Sequence, residues 1–214
     1  MGYIGTKPSA VPLTSADIAD GIITSAKIAD GTIVNADINA SAAIASTKLS
    51  GSLGKVLQVL QTTKTATQSF TGSGTNSPET WNDITDLSLA ITPSSASSKI
   101  LVLGYVNGQG SNGSFVTAFR GATNLAVPSS SSGRQPAFSG NFGSEQSTSR
   151  SNDTNITVSI MYLDSPATTS STTYKLSVSI WDADTVYINR SVSDGDNGSV
   201  GRGVSNLILM EIGA

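Results

Sequence analysis

The sequence contains no cysteine and no histidine in 214 residues. One chain therefore cannot build a disulfide, a thiolate zinc site, a histidine-ligated metal site, a Ser-His-Asp triad or a cysteine nucleophile. Charge is also scarce, because charged residues make up 13% of the chain and the formal net charge is −3. The 12 basic residues are scattered along the chain, which argues against nucleic-acid binding because that needs a concentrated positive surface.

Long hydrophobic runs are missing as well. No apolar segment reaches the roughly 18 residues of a membrane helix, and the first residues, MGYIGTKPSAVP, lack the apolar core of a signal peptide. Small secreted proteins usually contain disulfides, and this chain has no cysteine. These absences predict synthesis in a cytoplasm, with no membrane insertion.

Hydroxyl side chains are abundant: 36 Ser and 24 Thr residues accompany 21 Gly residues. Threonine favours strands through its branched Cβ, and residues that favour helices are scarce. The composition therefore predicts an all-β protein with many loops. Disorder is the alternative for a chain rich in Ser and Gly, but 37% hydrophobic content in alternating runs argues against it.

A repeat occupies the first quarter of the chain. Three decads follow one another from residue 14, TSADIADGII, TSAKIADGTI and VNADINASAA, and aliphatic residues recur every five positions within them. A period of five fits neither an amphipathic helix nor a flat strand. It predicts a coil with tight corners in which stacked repeats bury one apolar line, formed by Ile18, Ile23, Ile28, Ile33 and Ile38.

That apolar line can be buried in two ways. A single-chain solenoid with about 20 residues per turn would complete less than two turns over residues 13–49, whereas repeat folds usually need three or more units. Three chains around one axis would bury the isoleucines against their own copies. We favour the three-chain stalk over 13–50, with these isoleucines as its core. A flexible linker is a third interpretation, and the regular spacing conflicts with it.

The remainder, 51–214, predicts an antiparallel β-sandwich head of jelly-roll type, because short alternating runs are separated by turn sequences such as SDGDNGS. Segments 99–106 and 204–212 are apolar on both faces, as in a central strand or a strand covered by another subunit. The polar stretch 128–154 is predicted to contain no strand. Strands are predicted at 56–62, 84–91, 99–106, 114–120, 156–163, 173–181, 185–190 and 204–212.

Several segments resemble fibre proteins of tailed bacteriophages, especially phages of marine cyanobacteria. The repeat SADIADGIITSAKIADGTIVNADIN is similar to segments common in those proteins. GKVLQVLQ at 54–61, LSLAITPSSASSKILVL at 87–103 and YLDSPATTSSTTYK at 162–175 resemble a domain found at fibre ends, as do VYINRS and the closing LILMEIG. MGYIGTKP looks like a leader shared by several virion proteins of these phages.

The resemblance implies a homotrimeric virion fibre on the tail or capsid surface. Residues 1–12, including Tyr3, Ile4 and Pro8, would attach it to other virion proteins. The head would meet a host-surface receptor, for which a glycan is one candidate. No catalytic residue, metal or cofactor is implied. The alternatives are a capsid or tail decoration protein that serves assembly, a small polysaccharide hydrolase and a free lectin.

Two kinds of acidic cluster were weighed as chemical sites. A carboxylate pair at Asp182 and Asp184, or at Asp83 and Asp86, could in principle serve a glycosidase, but Asp also populates turns and strand ends. The segment SDGDNGS resembles a calcium loop yet lacks the third ligand and the distal Glu of an EF-hand. We interpret the carboxylates as turn and strand-end residues, and SDGDNGS as a tight turn.

Recognition is the remaining class of function. Cell-surface binders place aromatic and amide or hydroxyl groups on loops of a rigid sandwich. The two Phe residues below could instead lie in a subunit interface, where aromatics are enriched, and Trp81 and Trp181 are predicted to be core or interface residues. The candidate receptor-binding residues, all in the stretch 128–154, are Arg134, Gln135, Phe138, Asn141, Phe142 and Arg150.

Overall fold

The computed structural model describes residues 14, 18–39, 41–44, 56–74, 80–110, 113–126, 135–140, 155–181, 183–198 and 200–213. The chain divides into two units, Met1–Leu53 and Gly54–Ala214. The first contains the decad repeat and the second contains all the strands.

Tight turns recur every five residues in the repeat. Five backbone hydrogen bonds, spaced five residues apart, join the N–H of one residue to the C=O three residues earlier, over distances of 2.9–3.2 Å, and a sixth bond of this kind joins Ile28 to Ser25. Two of the turns are short 3-10 helices, Ser25–Lys27 and Asn35–Asp37. The two Asp-Gly turns that precede them place Gly21 and Gly31 at φ of 76° and 79°, which glycine adopts without steric cost. The donors of the five bonds are Ile22, Lys27, Thr32, Asp37 and Ala42.

The repeat buries none of its described side chains within one chain. The five spaced isoleucines are 38–54% exposed, and Ile22, Val34 and Ile44 are exposed as well. Tight turns recur at the spacing that the pentad predicts, but within one chain they bury no apolar line. Burial of the apolar line by other copies stays a prediction.

Eleven strands are described in the second unit, and their order follows the predicted segments closely. They are β1 (Val56–Lys64), β2 (Gln68–Thr71), β3 (Asn82–Ile91), β4 (Lys99–Gln109), β5 (Ser114–Arg120), β6 (Thr123–Asn124), β7 (Ser139–Gly140), β8 (Ile156–Asp164), β9 (Thr172–Ile180), β10 (Thr185–Ile188) and β11 (Ser205–Ile212).

The strands form two antiparallel sheets. In the first sheet β4 pairs with β8 on one side and with β11 and then β10 on the other, while β1 flanks β11 and β2 flanks β10. In the second sheet β9 lies between β3 and β5, and the short strands β6 and β7 flank β5. The all-β sandwich expected from the composition is confirmed.

The core lies between the two sheets. Alternate residues of β4, β8 and β11 face alternate residues of β3, β5 and β9, and nearly all of these inward side chains are aliphatic. The predicted alternation of β9 is confirmed, because Tyr174, Leu176, Val178 and Ile180 are at most 1% exposed. No helix in the described segments is long and apolar enough to cross a membrane.

Two details of the predicted strands differ from the structure. The prediction that 128–154 contains no strand is wrong, because β7 pairs with Phe115 and Val116 of β5. The sequence analysis also missed β2 and β6. These three strands have two to four residues each, which is too short for an alternating pattern to emerge. β6 and β7 form because the longer β5 supplies hydrogen-bond partners, whereas β2 pairs with β10, which also has four residues.

Candidate functional site

Only two of the candidate receptor-binding residues fall in the described part of the chain. Phe138 is half-buried and packs against the core, with its ring edge-on to Tyr162 at 5.6 Å between centroids. Gln135 is also half-buried. Phe138 therefore packs against Tyr162 and the core. Receptor recognition by this loop stays a prediction.

The other predicted residues lie outside the described segments. For recognition these are Arg134, Asn141, Phe142 and Arg150, and for virion attachment they are Tyr3, Ile4 and Pro8.

The carboxylates weighed as chemical sites have structural partners. Asp83 accepts hydrogen bonds from Lys175 and Ser177, each at 2.7 Å. Asp86 lies 3.9 Å from the ammonium of Lys64. Asp83 and Asp86 therefore contact different residues. Asp184 is half-buried, and Asp182 lies outside the described residues.

The described part of the SDGDNGS segment, residues 193–198, contains a turn, as predicted. Asp194 pairs with Arg190 and Arg202 at 3.3 and 2.9 Å, and the N–H of Asn197 donates to the C=O of Gly195 at 3.0 Å. Across the described residues no three acidic side chains approach closely enough to hold a metal ion.

The outward face of the second sheet is mostly polar. Thr117, Thr173, Lys175 and Ser177 point away from the core on β5 and β9, and Asp83 on β3 bonds to two of them. Phe119 also points outward, but the ammonium of Lys175 lies 5.6 Å from its ring centroid and the ring of Trp81 contacts its edge. Thr117 and Ser177 are fully buried, whereas Asp83 and Thr173 are exposed, so part of this polar face is covered and part of it meets water.

The outward face of the first sheet is apolar. The pairing register aligns Val59, Met210, Leu101 and Leu163 in one row across β1, β11, β4 and β8. The next row contains Gln61, Ile208, Leu103 and Met161, and the row beyond it is mostly polar, with Thr63, Asn206 and Ser159 beside Tyr105. We call the apolar outward side chains of the two central rows and of the rows on either side of them the apolar face: Val56, Val59, Leu101, Leu103, Tyr105, Met161, Leu163, Ile208, Met210 and Ile212.

Exposure across the apolar face is highest on its two flanking strands. Met161 and Leu163 on β8 are 75% and 48% exposed, and Val56 and Val59 on β1 are 52% and 53% exposed. Between β8 and β11 lies a shallow groove of about 330 Å³, with an almost wholly apolar lining that includes Leu103, Tyr105, Met161 and Ile208. Nothing in the second unit's described residues covers these side chains.

A buried network holds β8 against the second sheet. Asp164, at the end of β8, is 5% exposed, and it accepts hydrogen bonds from the Arg120 guanidinium at 2.7 Å and the Tyr174 hydroxyl at 2.6 Å. Burial, together with the hydrogen bond to the Asp164 carboxylate, raises the pKa of Tyr174 far above its ordinary value, so the phenol stays protonated and donates. These hydrogen bonds hold β8, the strand that carries Met161 and Leu163, against the second sheet.

A second buried carboxylate supports β11 and β1. Glu211 is 1% exposed on the inward side of β11, between the outward residues Met210 and Ile212. Its oxygens accept hydrogen bonds from Gln58 Nε2 at 2.6 Å and from Ser94 N and Oγ at 2.7 and 2.6 Å. Burial alone would raise the pKa of Glu211, but these hydrogen bonds outweigh it and lower the pKa to about 2.

Two segments of the sequence indicated the apolar face. Segments 99–106 and 204–212 are apolar on both faces, which is typical either of a central strand or of a strand covered by another subunit. The structure places β4 and β11 centrally. A central position buries only their inward side chains, however, so it does not explain the outward ones.

Comparison with known proteins adds no identification. No protein-family model matches the sequence, and no curated protein matches it.

Proposed function

We propose that the chain is a structural virion fibre protein of a tailed phage, attached by its N-terminal leader and presenting a trimeric β-sandwich head for adsorption to a host surface. The observation that carries the proposal is the repeat: a regular coil with a turn every five residues and no buried described side chain. Repeats of this kind bury their apolar line against neighbouring repeats, and copies of the chain wound around one axis would supply those neighbours. The sequence resemblance to phage fibres supports the same assignment.

The proposed activity is mechanical and adhesive. The repeat joins three copies into a stalk, and each copy contributes one head. Three weak surface contacts acting together can exceed the affinity of one by about 10²–10⁴. Neither bond cleavage nor a cofactor is part of this mechanism.

A test of the proposal locates the protein on purified phage particles. Gold-labelled antibody against the head should mark protruding positions, and the isolated protein should compete with phage for adsorption to host cells. As a control, a version that lacks residues 1–12 should keep its adsorption and lose its incorporation into particles. Failure of the isolated protein to bind host cells would contradict the adsorption role.

The principal alternative is a capsid or tail decoration protein. The apolar face favours it to some extent, because a lattice contact also needs an exposed apolar surface on each head. Regular capsid positions in the same labelling experiment would support decoration and reject the fibre.

A further inference from the structure

We propose that the apolar face of the first sheet is a contact between copies of this chain, so that the heads associate through their sheets in addition to any association through the repeat. The inference deepens the proposed homotrimer and names the partner of the face as a second copy of the chain. It rests on the head alone and stands even if the protein decorates a capsid.

The first argument is the difference between the two sheets. Both belong to one sandwich and both turn a face outward, yet only the second is covered with Thr, Ser, Lys and Asp. An antiparallel sheet with one solvated face normally alternates apolar and polar residues. In the two central rows the six outward positions of β4, β8 and β11 are instead Leu, Met or Ile, while Ser159 and Asn206 stand in the next row. We therefore expect the two central rows to contact protein rather than water.

The second argument is size. The two central rows, four strands wide, measure roughly 19 Å by 13 Å at normal strand and residue spacing, and Gln61 is the one polar residue among their eight positions. With Val56, Ile212 and Tyr105 beside these rows, the patch is comparable to the roughly 300–600 Å² of the largest apolar patch on a typical monomer, which is often functional.

The third argument concerns the identity of the partner. Within the two central rows the face carries no charge, and Lys99 stands at one border beside Ile212. An uncharged face suits an identical uncharged face, because interface cores are depleted of charge. A membrane surface or nucleic acid would instead be met by clustered basic residues. The repeat of the same chain gives an independent reason to expect other copies nearby.

The shape of the apolar face, with exposed side chains beside a groove, is compatible with packing between copies. Its most exposed side chains lie on the flanking strands β8 and β1, and its groove lies between β8 and β11. In a closed ring of three, each subunit uses two different patches. The β8 side of one head, with Met161 and Leu163, would meet the β11–β1 side of the next, with Met210 and Val59.

The test uses single-cysteine variants of the full chain, which has no native cysteine. Met161→Cys places a thiol on the apolar face, and Ala90→Cys is the matched control at an exposed outward position on β3, a flanking strand of the second sheet. Maleimide labelling of each variant is normalised to its rate in denaturant. We expect the thiol at 161 to react at least tenfold more slowly than the thiol at 90. Equal rates would overturn the inference.

A second variant pair separates contact between copies from cover by the chain itself. Met161→Cys combined with Leu163→Asp should restore fast labelling, whereas Met161→Cys with Ser88→Asp on the second sheet should stay protected. Light scattering on the same samples gives the mass. Protection at 161 in a chain of monomeric mass would overturn the inference in favour of cover by the chain's own repeat. The proposed adsorption role is tested on host cells and particles, so its failure remains distinguishable.

Discussion

At the scale of single residues, the buried polar side chains decide how the two sheets are held together. Glu211 and Asp164 lie inside a sandwich that is otherwise aliphatic, and each carboxylate is surrounded by donors from a different strand or loop. A buried charge is tolerated when hydrogen bonds replace its lost hydration. Removal of one donor should therefore cost more than loss of an ordinary surface contact.

Glu211 makes stability depend on pH. Its pKa in the folded chain, about 2, lies below the ordinary 4.5, so the stabilisation is fully present above about pH 4.5 and is lost as the pH falls toward 2. We expect Glu211→Gln to cost about 3 kcal/mol at pH 6 and much less at pH 2.5, where the wild-type carboxylate has lost most of its advantage. Urea unfolding at both pH values measures this, and a pH-independent difference would contradict it.

Asn189 is a second residue at which several strands meet. It is fully buried at a φ of 61°, donates to the C=O groups of Lys64 and Ala66 at 2.8 and 3.0 Å, and accepts from the Ser205 hydroxyl at 2.6 Å. It thus connects the β1–β2 link to β11.

We expect Asn189→Ala to lower the free energy of unfolding by about 2–4 kcal/mol, since it leaves buried partners unpaired and places Ala at a left-handed φ. The control is Asn82→Ala, which removes one local hydrogen bond from Asn82 to Thr80 and should cost about 1 kcal/mol or less. If both variants lowered the free energy of urea unfolding equally, the buried contacts of Asn189 would contribute no more to stability than a local hydrogen bond.

At the scale of elements, the sequence predicted each strand that is long enough to alternate. β5 begins and ends where predicted, and β9 differs by one residue at each end. β2 was missed because Phe70 is its one apolar residue, and β6 and β7 depend on β5 for their pairing. The central burial of 99–106 and 204–212 was predictable from composition. Their alignment with β8 and β1 into one apolar face depends on register, which the sequence does not reveal.

The pentad repeat was predictable because its turns are local. Each hydrogen bond joins residues three apart, and the Asp-Gly pairs supply the left-handed corner. The candidate recognition residues depended instead on a loop without a local pattern, and Phe138 packs inward for reasons that only tertiary structure provides.

The Gly31 corner gives a prediction for this element. Because the φ of Gly31 is 79°, Gly31→Ala should cost about 1–2 kcal/mol at that turn. The hydrogen bond from Thr32 to Ala29 closes the turn, so the Thr32 amide should exchange its hydrogen roughly 5- to 30-fold faster. NMR-detected exchange measures this. Ser25→Ala, in a neighbouring 3-10 turn, should leave Thr32 unchanged, and no acceleration in Gly31→Ala would contradict the assigned turn.

At the scale of the whole molecule, the expected assembly is a trimer at three times the 21.8 kDa chain mass. A shorter chain that begins at Gly51 keeps the complete hydrophobic core, which lies between Ile84 and Leu209. Because it also keeps the apolar face, we expect it to remain trimeric in light scattering at micromolar concentration. A shorter chain that is monomeric beside a full-length trimer would place the association in the repeat, and monomers of both would contradict the trimer.

The position of β11 has a consequence for synthesis on the ribosome. β11 is the last strand in sequence, yet it lies between β4 and β1 and joins them into one sheet. While the chain is being translated, β4 can pair with β8 and β10, but β1 joins the first sheet only after residues 205–212 emerge. The apolar face is complete only at that moment. Until then, nascent chains on neighbouring ribosomes do not offer each other the complete face.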